Sequence, residues 1–218
     1  TDHVFLVGGS RFSDGNDCLL YLVDAGDLVL IDTGAGPSWP TIRANIKEAG
    51  FDTSEIHTLI LTHCHIDHIG AADRVIAESG CRVVAHALDT KAIEAGDSRK
   101  TAASWYNIDP PKIEVTHPFD GDEETLELTG GQLRLIHTPG HTPGSFVVLW
   151  EESGQKVLFG QDIHGPFVPD FGSDIGLWRE SMERLLELEA DILCEGHYGV
   201  YRTAAEVRNF IEAQLASH

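Results

Sequence analysis

Basic side chains are scarce in this chain of 218 residues: 15 Lys and Arg stand against 35 Asp and Glu, a formal charge of −20. Such a surface repels polyphosphate backbones unless a local basic patch intervenes, and no basic or basic-aromatic tract is visible. Nucleic acid is therefore not an expected partner. Cysteine is also sparse. Cys18, Cys64, Cys81 and Cys194 form neither a C-x-x-C pair nor the dense spacing of a disulfide scaffold, which favours a reducing, cytoplasmic setting. No apolar run reaches the roughly 18 residues of a membrane span, so neither a membrane-crossing nor a secretory segment is expected. A Gly-rich phosphate loop is missing too, which argues against a nucleotide-binding sheet of the Rossmann kind.

Short β-rich runs dominate instead. Val4 to Val7, Cys18 to Val23 and Leu28 to Ile31 are separated by turn residues and read as a small antiparallel sheet. Pro40 suits a first helical turn, and Ile42, Ile46 and Ala49 recur at helical spacing before Gly50. A strand at Ile56 to Leu61, a helix from Ile69 to Glu78 ended by Gly80, and a strand at Cys81 to Ala85 follow. Residues 87–112, closed by Asp109-Pro110-Pro111, read as a helical lid or lobe. Strands recur at Ile113 to Val115, Thr125 to Leu128, Leu133 to His137, Phe146 to Trp150, Lys156 to Phe159 and Ile192 to Cys194. Trp178, Met182, Leu185 and Leu186 form an apolar helical stripe. Thr203 with Glu206 gives a capping box ahead of a last helix that buries Val207, Phe210, Ile211 and Leu215. Two batches of strands with helices after each predict two packed sheets with helices outside, in one domain spanning 1–218.

The run Thr62-His63-Cys64-His65-Ile66-Asp67-His68 sets three imidazoles and a carboxylate at the end of an apolar strand. Neutral imidazole and carboxylate oxygen are ligands for Zn²⁺ and related ions, and a cluster of this composition can hold one or two. Thr138 to Ser145, Gly160-Gln161-Asp162 and Glu195 to Gly199 also follow apolar strands, which makes His141, Asp162 and His197 loop-borne ligand candidates. Glycines beside His141 and His197 permit tight turns, and Pro139 and Pro143 restrict the backbone. Cys64 alternates with His63 and His65 along an extended segment, so its thiol is expected behind the site. Cys194 reads as a strand residue, and packing outweighs nucleophilic chemistry for both.

With these segments in view, the chain resembles the metallo-β-lactamase-fold superfamily. The matching pieces are Thr62 to Gly70 (THCHIDHIG), His137 to Ser145 (HTPGHTPGS), Phe159 to Asp162 (FGQD), Gly196-His197 and Leu30 to Gly34 (LIDTG), spread across nearly the whole chain. The resemblance implies a four-layer αββα sandwich of two mixed β-sheets, with metals at the edge between them. It also implies that His63, His65 and His141 hold one ion, that Asp67, His68 and His197 hold a second, and that Asp162 bridges. Zinc suits these ligands, and iron or manganese also fits. Asp32 has no ligand position in that pattern and reads as a hydrogen-bond partner of a ligand histidine.

The leading functional expectation is a glyoxalase-II-like or lactonase-like hydrolase acting on a small thioester or lactone through a metal-bound hydroxide. Asp67 would orient that hydroxide and move its proton, and Tyr198 would donate to the developing oxyanion. Trp105 and Tyr106, in the 87–112 lobe, would cover an acyl chain. Glyoxalase-II-like enzymes carry an additional helical substrate domain, whereas only about twenty residues follow His197 here, so compact lactonase-like members match the length better. The main alternative is an oxygen-using iron enzyme resembling persulfide dioxygenases, with one iron on His63, His141 and Asp162. A nuclease and a non-catalytic metal-binding protein are further readings, the former disfavoured by the charge. Dimers are common among proteins of this fold, which makes a homodimer the partner implied beside the small-molecule substrate.

Overall fold

A computed structural model describes residues 1–218 in full. The chain forms β1 (Val4–Gly8), β2 (Leu20–Asp24) and β3 (Leu28–Ile31), then α1 (Trp39–Glu48) and β4 (Ile56–Ile60). The one-turn α2 (Ile66–Ile69), α3 (Ala72–Ser79), β5 (Arg82–His86), α4 (Ala87–Ala95), short α5 (Ala103–Tyr106) and β6 (His117–Phe119) complete the first half. The second half contains β7 (Glu123–Leu128), β8 (Gly131–His137), β9 (Phe146–Glu152) and β10 (Gln155–Gln161), followed by α6 (Ile175–Glu187), β11 (Ile192–Glu195), β12 (Val200–Tyr201) and α7 (Ala204–Ser217).

The first sheet has the order β1-β2-β3-β4-β5-β6 and the second β12-β11-β10-β9-β8-β7. Both are mixed. β1 to β3 pair antiparallel and β3 to β6 parallel, while β10 to β11 is the parallel step of an otherwise antiparallel second sheet.

The layering follows from side-chain alternation. Along β2, Leu20 and Leu22 face one core cluster while Tyr21 and Val23 face another; along β3, Leu28 and Leu30 separate in the same way from Val29 and Ile31. On β9, Phe146, Val148 and Trp150 enter the cluster between the sheets, and Val147 and Leu149 enter the one beneath α6 and α7. Period-two hydrophobicity on both faces requires cover on both faces. Ile42, Ile46, Val75 and Ile93 cover the first sheet from α1, α3 and α4; Trp178, Met182, Leu185, Val207, Phe210 and Ile211 cover the second from α6 and α7. Two sheets with helices outside are the observed architecture.

Local differences from the sequence expectation have identifiable causes. Ile113 and Val115 are buried but form no strand; the Val115 N–H donates to the Glu94 side chain at 3.3 Å, and ladder pairing begins only at His117. The helix expected from Ile69 is broken at Gly70, whose N–H donates to Gly34 O at 2.8 Å. A Cβ at Gly70 would meet the Ala35 carbonyl at 2.3 Å, so the break rests on close backbone approach. Only half of the capping box forms. The Glu206 N–H donates to the Thr203 hydroxyl oxygen at 3.2 Å, but the Glu206 carboxylate takes the Arg202 N–H instead. No helix is long and apolar enough to cross a membrane.

Candidate metal centre

All four ligand-bearing loops lie at one end of the two sheets. His63 and His65 leave β4, His141 lies in the β8–β9 loop, Asp162 follows β10, and His197 follows β11. Gly140 adopts φ 141°, and a Cβ there would lie 2.3 Å from Trp178 Cβ, so the His141 loop can seat against α6 only with glycine at this position.

The expected residues converge as two groups that share one carboxylate. His63, His65, His141 and Asp162 bring their donor atoms within 4.8 Å of one another, and Asp67, His68, Asp162 and His197 do the same. Asp162 divides its oxygens between them. Oδ1 lies 3.2 Å from Nε2 of both His68 and His197, while Oδ2 lies 3.6 Å from His141 Nε2 and 4.0 Å from His63 Nε2. Asp67 Oδ2 completes the second group, 3.4 Å from His197 Nε2 and 3.7 Å from His68 Nε2. Nε2 of His63, His65 and His68 and Oδ1 of Asp162 are buried with no hydrogen-bond partner. Orphaned polar atoms are costly in a protein interior, and imidazole nitrogens gathered with carboxylate oxygens within 4.8 Å are the donors that cations need. The donor set therefore fits divalent ions.

Electrostatics agree with that use. Burial holds His65 and His141 down to about 3, and burial with neighbouring histidines holds His63 well below its ordinary range. These rings are neutral near pH 7, the form that binds metal. Burial opposes charge on Asp162, but His197 and His68 beside it keep its carboxyl well below the usual carboxylate range. Burial likewise opposes protonation of His197, yet Asp162 and Asp67 push it up to about 10. Without an ion, protons and ion pairs supply part of the compensation that a cation gives.

A surrounding hydrogen-bond frame fixes the donors. Asp32, fully buried and at φ 61°, accepts from the Thr62 N–H at 2.9 Å, the Thr62 hydroxyl at 2.8 Å and His68 Nδ1 at 2.7 Å. The last bond places the His68 hydrogen on Nδ1 and leaves Nε2 for a ligand position. His141 Nδ1 donates to Pro166 O at 2.9 Å, leaving its Nε2 inward as well. Asp89 on α4 ties two loops together. It accepts from the Cys64 N–H at 3.0 Å, the Thr142 hydroxyl at 2.7 Å and the Gly144 N–H at 2.9 Å. Nothing in the local sequence around Asp89 signals this, because its partners lie 25 to 55 positions away.

Buried Cys18 lies within 4.8 Å of donor atoms of Asp32 and His68, whereas Cys64 and Cys194 are turned away from this chemistry. Cys64 packs beneath the site with the first-sheet core, Cys194 lies between the sheets, and burial pushes Cys64 well above its ordinary range and Cys194 up to about 12. The tyrosines divide differently from the sequence expectation. Tyr198 is 63 % exposed, with its ring against His164 and Phe210. Tyr106 instead lines a cavity of about 120 Å³ together with His65, Asp67, Asp162 and His197. Trp105, Phe171, Pro166 and Ala102 supply its apolar wall, and His164, unremarkable in the sequence, stands at its side.

The family model for the metallo-beta-lactamase superfamily matches residues 14–197. The chain belongs to this superfamily. Among relatives, a probable metallo-hydrolase of Methanocaldococcus jannaschii is 32 % identical over 61 % of this chain and 62 % of its own length. The chain thus spans less than two thirds of that relative. The hydroxyacylglutathione hydrolase GloC of Haemophilus influenzae is 29 % identical over 87 % of this chain and 88 % of its own length. A relative with that name therefore has a length close to this one, which removes the size argument against glyoxalase-II-like proteins. A metallo-beta-lactamase of Cronobacter sakazakii with a mutated HARLDQ motif superposes with a TM-score of 0.83 at 22 % identity, covering 99 % of this chain and 92 % of that one, a likeness of fold.

Proposed function

We propose that this superfamily member is a dinuclear metal-dependent hydrolase of a small thioester or lactone. The observation that carries the reading is Asp162, whose two oxygens face two separate and equally complete donor groups. His63, His65 and His141 would hold one ion, Asp67, His68 and His197 the other, with Asp162 shared; zinc is the ion these donors suit best. Bound there, such ions lower the pKa of water to near neutrality and polarise a carbonyl oxygen.

The chain's own residues do the rest. Asp67, only 4 % exposed and facing the cavity, orients the attacking water and receives its proton. Tyr106 faces Asp67, and burial with the Asp67 charge raises its phenol well above the ordinary range, so it stays a hydrogen-bond donor at neutral pH. It therefore suits the oxyanion-donor role better than the exposed Tyr198. Residues 87–112 act as the lid: Trp105 packs on Phe171 at a ring separation of 4.8 Å, and Phe171 packs on His65 at 4.4 Å. That apolar wall excludes water from the acyl side of the substrate. Cys64 and Cys194 supply no nucleophile, since buried thiols with raised pKa values are protonated at neutral pH.

The test is elemental analysis of unsupplemented protein paired with a screen of lactones and thioesters, run in air and anaerobically. Two equivalents of metal with oxygen-independent hydrolysis are expected. One equivalent of iron with oxygen consumed in proportion to substrate would replace the reading by the persulfide-dioxygenase-like alternative.

A further inference from the structure

Gln161 is 1 % exposed and adopts φ 46°, a left-handed backbone that favours glycine. Its Nε2 donates to Asp32 Oδ2, while its Oε1 is buried without a partner. An amide facing a carboxylate presents its nitrogen, which settles its orientation. The backbone carbonyl is occupied separately, by the N–H groups of Ile163 at 2.9 Å and Gly196 at 3.2 Å. The β10–β11 ladder slips at this point: Phe159 pairs with Cys194 and Gln161 with Glu195, so Gly160 is an extra residue in β10. Phe159 faces between the sheets, and Gln161, two positions on, reaches across the same space to Asp32, which follows β3.

Neither packing nor backbone conformation calls for that side chain. Glycine would meet the φ without strain, and an apolar residue would fill the space without an orphaned oxygen. What the amide adds is a connection. Asp32 accepts four hydrogen bonds, and three come from residues that follow β4: two from Thr62 and one from His68. Gln161 is the donor from the second sheet, and it directly precedes Asp162. His68 Nδ1, Asp32, Gln161 and the peptide link to Asp162 thus close a ring on the 3.2 Å approach of Asp162 Oδ1 to His68 Nε2. One side-chain bridge holds two ligand candidates from different sheets in register.

We propose that Gln161 is a positioning residue: by bridging to Asp32 it fixes His68 against Asp162, and so sets the affinity of the ion held by Asp67, His68, Asp162 and His197. This rests on the two-ion reading of the site. The effect is confined to one ion, passes through Asp32 and is separable from folding.

The experiment titrates Zn²⁺ into chelated protein against a chromophoric chelator, for wild type, Gln161→Met, Gln161→Gly, Asp32→Asn and the double variant Asp32→Asn with Gln161→Met. Thermal unfolding of each chelated protein is recorded beside it. Gln161→Met keeps the volume and removes the donor; it should weaken one of two ions about 3- to 10-fold, the worth of one hydrogen bond, and leave the other unchanged. Asp32→Asn should weaken the same ion. In the double variant, Gln161→Met should cost little beyond Asp32→Asn alone, because the route through Asp32 is already broken. Gln161→Gly, which suits the φ, should weaken that ion as well and serves if the Met variant misfolds. Wild-type affinity in both Gln161 variants would overturn the proposal. So would losses that affect both ions alike, add in full to those of Asp32→Asn, or track the unfolding temperatures of the chelated variants. Wild-type protein that takes up a single ion would overturn the two-ion reading, and the Gln161 assignment then stands or falls on whether Gln161→Met weakens that ion. Two ions with the expected pattern, in a protein that hydrolyses neither thioester nor lactone, would uphold Gln161 and overturn the hydrolase reading alone.

Discussion

His68 Nδ1 lies 2.7 Å from Asp32 Oδ2, across 36 positions of sequence and with both side chains fully buried. The bond sets which nitrogen of His68 faces the metal group and keeps a residue at positive φ in place. Asp32→Asn should lower metal affinity or turnover by about 10- to 100-fold, the usual range for partners of ligand histidines. Metal titration of the variant against wild type reads this directly, and an unchanged affinity would leave Asp32 with only its bonds to Thr62 and the Gln161 side chain.

Asp162→Asn should act more severely than Asp32→Asn. A neutral amide compensates two cations poorly, so metal content and hydrolytic rate should both fall while the circular dichroism spectrum stays close to wild type. Full occupancy with normal turnover would remove Asp162 from the shared position.

The two tyrosines separate cleanly in an assay. Tyr106→Phe should lower kcat by roughly 10²-fold with little change in metal content, since it removes one donor to a developing oxyanion. Tyr198→Phe should leave kcat close to wild type, because that side chain is exposed outside the cavity. The reverse ranking would return the oxyanion role to Tyr198.

Stability of chelated protein should fall on both sides of neutrality. His65 and His141 take protons near pH 3 when folded and near 6.5 when unfolded, so their contribution is full above 6.5 and is lost as pH falls toward 3. His197 runs the other way: folded, it titrates near 10, so its contribution is full below 6.5 and is lost as pH rises through 10. Thermal unfolding across this range checks both arms. The acid arm should become shallower in His141→Asn and the alkaline arm shallower in His197→Asn.

The ligand candidates were legible because each is tied to a local pattern: an apolar strand, a turn, and a histidine or aspartate at its end. His63, His65, Asp67 and His68 are within six positions of one another, and glycine and proline flank His141. The sandwich was legible for a similar reason, since Leu20 to Val23 and Phe146 to Trp150 alternate between two buried environments. Ile113 to Val115 misled because burial and β-propensity do not supply a ladder partner; the Glu94 side chain took the backbone donor instead.

Sequence alone thus determined which residues have ligand chemistry and which segments must be covered on both faces, because both properties are local in composition and period. Only the tertiary structure decided that Asp162 turns one oxygen to each donor group, that Asp89 joins the loops of His63 and His141, that Tyr106 and not Tyr198 lines the cavity, and that Gln161 reaches across the sheets to Asp32. Those relationships are contacts between residues far apart in the chain. Their geometry comes from how two twisted sheets and their outer helices pack, which leaves no periodic trace in the sequence beside the residues concerned.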